Sequence, residues 1–67
     1  MKYKVMLECR TGMTRLIHDT YGTYWEPCYH IITLCDEETE EEAWKIAENQ
    51  LLYNRIQVRR AWVERPN

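Results

Sequence analysis

The sequence predicts a small single α+β domain. The expected order is β-β-β-α-β, a four-stranded, mainly antiparallel sheet with one helix packed on one face. Three observations carry this. Apolar and polar residues alternate with period two over residues 2–9, and short β-branched and apolar runs recur at 28–35 and 56–64. A Thr39–Glu42 capping box opens a stripe of apolar residues at helical spacing. The chain has 67 residues, room for one domain, of a size that buries only about 60% of its unfolded surface.

In the first strand Tyr3, Val5, Leu7 and Cys9 fall on one side and Lys2, Lys4, Met6 and Glu8 on the other. Residues 10–13 read as a hairpin turn, with Gly12 supplying a positive φ. A two-residue Thr11-Gly12 loop would set Leu7 opposite Leu16 and Val5 opposite His18. It would also pair Glu8 with Arg15 and Lys4 with Asp19, two opposite-charge pairs on the outer face. These pairs favour this register over a one-residue slip with a bulge at Gly12, which would turn Arg15 and Asp19 inward. Residues 21–27, punctuated by Gly22 and Pro27, read as a loop. The third strand, 28–35, is apolar on both faces, Tyr29 and Ile31 one way and Ile32 and Leu34 the other.

The helix is the best-marked element. Ala43, Ile46, Ala47, Gln50 and Leu51 form its inward stripe, flanked by Trp44 and Tyr53, and it should end near Asn54. The small Ala43 and Ala47 allow close approach to the sheet. In the last strand Ile56, Val58 and Trp62 are expected inward and Arg59, Ala61, Val63 and Arg65 outward, with Pro66 as terminator. The helical crossover would place this strand parallel to the first and third, beside the first. One helix covers one face, so Met6, Ile17, Val63 and an apolar set from the third strand are left on the other. An uncovered apolar face implies a partner, a second copy of the chain or a different protein.

Composition narrows the function classes. Eight aromatic residues, five Tyr and three Trp with no Phe, argue against disorder and suit half-wet surfaces such as interfaces. The net charge of −2 argues against a general nucleic-acid binder. Its distribution is bipolar: six acids crowd into residues 36–42, and Arg55, Arg59, Arg60 and Arg65 follow. A helix dipole accounts for the acids by itself. Three cysteines, Cys9, Cys28 and Cys35, cannot all pair within one chain. Residues 1–9 lack the apolar core of a leader, so the thiols are expected reduced in a cytoplasmic protein. No stretch is long enough to span a bilayer.

No catalytic constellation stands out. Cys28, His30 and Cys35, with His18, are ligand types for zinc, but Cys28 and Cys35 lack a close ligand spacing and would point to opposite faces of a regular strand. There is no Ser, and neither His sits in a recognisable dyad. The expectation is a non-enzymatic chain without cofactor or metal. The best candidate site is a partner-binding surface formed by Tyr21, Tyr24, Trp25 and Tyr29 with Met6, Ile17, Arg59 and Arg65, because Trp, Tyr and Arg dominate interface hot spots. The alternative is a nucleic-acid-binding domain using the arginine-rich last strand and its neighbouring rings.

In its size, its acidity, its three-stranded start and its Thr-Glu-Glu-Glu-Ala-Trp helix before a last strand, the chain resembles small phage-encoded accessory proteins. Anti-CRISPR proteins and related host-takeover inhibitors are among these. The resemblance implies stoichiometric occlusion of a host protein or complex in the host cytosol. It also implies a role for Asp36, Glu37, Glu38, Glu40 and Glu41 as a mimic of nucleic-acid phosphate, although the helix start explains these acids without it.

Overall fold

A computed structural model describes residues 2–66 and has the order β1 (Tyr3–Asp19), β2 (Gly22–Glu37), α1 (Glu40–Tyr53), β3 (Val58–Glu64). The sheet has three strands in the order β2-β1-β3, with both neighbours antiparallel to β1. The α+β class therefore stands, but the four-stranded β-β-β-α-β arrangement does not. What reads as three strands separated by a turn at 10–13 and a loop at 21–27 is one long hairpin, 17 residues out and 16 back. The last strand does lie beside the first, but antiparallel rather than parallel to it.

The chain reverses at Asp19–Gly22, not at residues 10–13. Asp19 Oδ1 accepts a hydrogen bond from the Tyr21 N–H at 2.8 Å, and Gly22 has φ +130°. A short polar side chain bonding two residues on, followed by a glycine, makes a tight turn at low steric cost. Gly12 does take positive φ, +90°, but it uses it inside β1. There the register jumps from Arg10↔Tyr29 to Thr14↔Pro27. Thr11, Gly12 and Met13 thus stand against Cys28 alone, a bulge rather than a turn. Thr11 Oγ1 stabilises it, accepting the Met13 N–H at 3.1 Å and donating to the Cys28 carbonyl at 3.5 Å. The expected pairs Leu7–Leu16, Val5–His18, Glu8–Arg15 and Lys4–Asp19 do not form. In the same order, their actual partners across the hairpin are Ile32, Trp25, Cys35, Thr23, Ile31, Glu26, Asp36 and Gly22.

Thr39 caps the helix as its spacing predicts, its Oγ1 accepting the Glu42 N–H at 3.2 Å. Ala43 and Ala47 are fully covered and bring α1 onto Val5, with Tyr3, Cys35, Ile46, Ala61 and Val63 packed around them. The helix outruns this platform. Leu51, Leu52 and Tyr53 at its end are exposed, as is Ile56 in the following turn.

Two further register shifts reassign the strand faces. One at residue 34 leaves Val5↔Cys35 and Leu7↔Ile32 on the helix side, so Leu34 drops out of the alternation. The other opposes Glu8 to Arg60 and Cys9 to Val58, which makes Arg59 the extra residue. Val58, Ala61 and Val63 consequently serve the helix side, and Trp62, paired with Met6, lies on the opposite one. The expected inward Trp62 and outward Ala61 and Val63 are thus reversed, because a bulge shifts the side-chain alternation by one.

Candidate functional site

Every residue of the core lies at one end of the hairpin. Beyond the bulge, Thr14–Asp19 pairs with Gly22–Pro27 as a two-stranded arm, six residue pairs long and therefore about 20 Å at the usual rise. The molecule measures 48 × 25 × 19 Å, elongated by this arm. Paired residues share a face, so Leu16 with Trp25 mark one side and Ile17 with Tyr24 the other. Both sides are wet: Trp25 is 67% exposed, Tyr24 49% and Tyr21, at the tip, 98%. Met13 and Leu16 are also exposed. Arg15 and Glu26 form a loose ion pair at 3.7 Å, and His18 Nδ1 lies 3.0 Å from Thr23 Oγ1. A two-stranded ribbon with no layer on either face is marginal in water.

The second region is the sheet face that α1 leaves open. Along β1 it carries Lys4, Met6, Glu8 and Arg10, and no element of the described chain covers it. Met6 sits between Thr33, which donates to its sulfur at 3.4 Å, and Trp62. Glu8, its side chain only 14% exposed, organises the rest. The bulge in β3 turns both Arg59 and Arg60 toward it, and their Nε atoms donate to the same Oε1 at 3.0 and 2.9 Å. Arg59 stacks over Tyr29 with its guanidinium 3.9 Å from the ring centre, and Arg60 lies 5.4 Å from Trp62. The Arg59 hydrogen bond holds the Glu8 carboxyl below the usual carboxylate range, against some opposing desolvation, and Glu8 in turn raises Arg59.

The residues expected to form one surface are thus divided. Tyr21, Tyr24, Trp25 and Ile17 belong to the arm, and Met6, Tyr29 and Arg59 to the open face. Arg65 joins neither, since its Nε donates to Glu40 Oε1 at 3.2 Å beside the helix start. Of the acids, Asp36 pairs with Lys4 and Glu37 with Tyr3 in the sheet, Glu38 bonds Lys2, and Glu41 lies in the first helical turn. The Lys2 hydrogen bond lowers the Glu38 carboxyl. Sequence reasoning placed Glu8 on the outer face but paired it with Arg15 rather than with Arg59 and Arg60. It missed Arg60 and Trp62 as parts of the open face, Leu16 as an exposed arm residue and Met13 as an exposed residue of the bulge. The available signal for the arm was Asp19-Thr20-Tyr21-Gly22, flanked on both sides by residues with strand preference.

The three thiols are free, and burial pushes that of Cys35 up, with Glu37 and Asp36 adding to the shift. A raised thiol is a poor nucleophile. Among the described residues no group of three His, Cys, Asp or Glu side chains is placed to hold a metal ion. The register shift at residue 34 also corrects the expectation for Cys35, which joins His30 and Ile32 on the helix side. No described helix is long and apolar enough to cross a membrane. Comparison with protein-family models, with curated proteins and with solved structures finds no match.

Proposed function

We propose that this chain is a non-enzymatic protein-binding module that acts by occupying a surface of a partner protein, as an inhibitor or adaptor, with the arm as its docking element. The observation that carries the reading is the pair of uncovered arm faces. Leu16–Trp25 and Ile17–Tyr24 place large apolar side chains on both sides of a ribbon that has no core of its own. Exposed rings concentrated on a projecting element are the residue types that supply interface energy. Occlusion of a host protein by a phage-encoded accessory protein is one form of this function.

The stacked arginines of the open face favour a second reading, nucleic-acid binding. It is the weaker one, because Glu8 engages both guanidinium groups and the chain is acidic. The test is capture by tagged full-length chain from the native lysate, with Trp25→Ala run in parallel. A discrete protein in stoichiometric amount, lost in the variant while its Tm stays within a few degrees, is the expected result. Capture unaffected by the substitution would refute the docking role of the arm. Nucleic acid eluting in place of protein, with affinity falling steeply as salt rises, would select the second reading.

A further inference from the structure

At the root of the arm, where β1, β2, the end of α1 and the start of β3 meet, lies a groove of about 400 Å³. Arg10, Arg55 and Arg59 line it, and no carboxylate does. Its apolar lining is Leu51, Ile56 and Val58, with Ile56 74% exposed. Of the three arginines only Arg59 has a described acid beside it, Glu8, which is not part of the groove lining. Among the described residues Arg10 and Arg55 form no ion pair.

The groove is also preorganised. The Arg10 N–H donates to the Gln57 carbonyl at 2.8 Å, which fastens the arm root to the turn that carries Arg55. Arg59 is held by Glu8 through Nε and by the face of Tyr29, and it remains half exposed. A guanidinium fixed through Nε keeps its outer donors for an incoming acceptor.

We propose that this groove receives a carboxylate-bearing segment of the partner protein, an acidic side chain next to an aliphatic one. The inference rests on the protein-binding reading above and adds the chemistry of what is bound. Carboxylate matches the unpaired Arg10 and Arg55 in charge and the guanidinium fork, including the outer donors of Arg59, in geometry. The aliphatic neighbour covers Leu51 and Ile56, which otherwise face water. A peptide fits better than a nucleotide, since the groove's one ring already carries Arg59 on its face.

The test is fluorescence anisotropy of a labelled Asp-Glu-Leu-Asp-Glu-Leu peptide titrated with the full chain. Its Asn-Gln-Leu-Asn-Gln-Leu counterpart serves as the uncharged probe. The expected result is saturable binding of the acidic peptide alone, weakened about tenfold by Arg55→Gln and by Arg10→Gln, as loss of a charge-assisted contact implies. Arg65→Gln, outside both the groove and the open face, should leave it unchanged. Equal binding of both peptides, indifference to Arg10 and Arg55, or equally effective competition by inorganic pyrophosphate or a single-stranded oligonucleotide would overturn the proposal. So would a salt-sensitive dimer in which a second copy's acidic segment, residues 36–42, fills the groove. Lysate capture lost in Trp25→Ala but with no peptide bound would sink this inference and leave the arm's docking role standing. Peptide bound but capture independent of Trp25 would do the reverse.

Discussion

Truncating Val5 to alanine measures how much this fold depends on one contact. Val5 has no exposed surface and is the largest side chain of which that is true. It meets Ala43 and Ala47 of the helix and is ringed by Tyr3, Cys35, Ile46, Ala61 and Val63. Removing two buried carbons costs about 1.6 kcal/mol in transfer free energy. The cavity they leave adds roughly 1 kcal/mol more, because closely approached helix and sheet backbones collapse only partly. A domain of this length has a total stability of roughly 3–10 kcal/mol. A loss of about 2–3 kcal/mol is therefore a large fraction and corresponds to a fall in Tm of roughly 10–20 °C. Thermal and urea unfolding followed by circular dichroism reads it, with an unchanged m value showing that stability alone has altered. A fall of less than about 4 °C, or under 1 kcal/mol, would mean that the helix does not seat where the structure puts it.

Three further expectations come from the same packing and electrostatics. Ala47→Leu forces a larger side chain into the closest helix–sheet approach, where Ala47 is 1% exposed, and should destabilise by about 1–3 kcal/mol in urea unfolding. Thr39→Ala removes the oxygen that accepts the Glu42 N–H and should cost about 0.5–2 kcal/mol, with no change in the fold's spectrum. The Glu8 carboxyl is lowered in the folded chain by Arg59, so its contribution is present above the unfolded carboxylate value and is lost as pH falls through the folded one. Melting in acid should accordingly drop less steeply in Glu8→Gln than in the parent chain, and identical acid limbs would refute the Glu8–Arg59 linkage.

Local signals were legible in the sequence, and long-range register was not. The helix could be placed because a Thr–Glu cap and an apolar stripe are written within a few turns, and α1 runs from Glu40 to Tyr53. The first strand's inward set, Tyr3, Val5 and Leu7, was legible by alternation and does pack toward the helix. Gly12 misled, because positive φ serves a bulge as well as a turn, and nothing near it says which. Pro27 reinforced the error by resembling a loop breaker. It is tolerated in β2 because that strand lies at the edge of the sheet. The Arg59 bulge moved Trp62 to the open face and Val63 under the helix, a swap that strict alternation excludes. As a result the exposed rings were found, but the arm that displays them was not.

The central claim is that the arm stands free until a partner covers it. Amide hydrogen exchange compares its backbone with that of the core in the same molecule. In the purified chain, residues 14–19 and 22–26 should exchange orders of magnitude faster than Val5 and Leu7, since an uncovered ribbon opens locally. They should slow on addition of the captured partner. Arm amides as protected as those of Val5 and Leu7 in a chain shown by sizing to be monomeric would contradict the account.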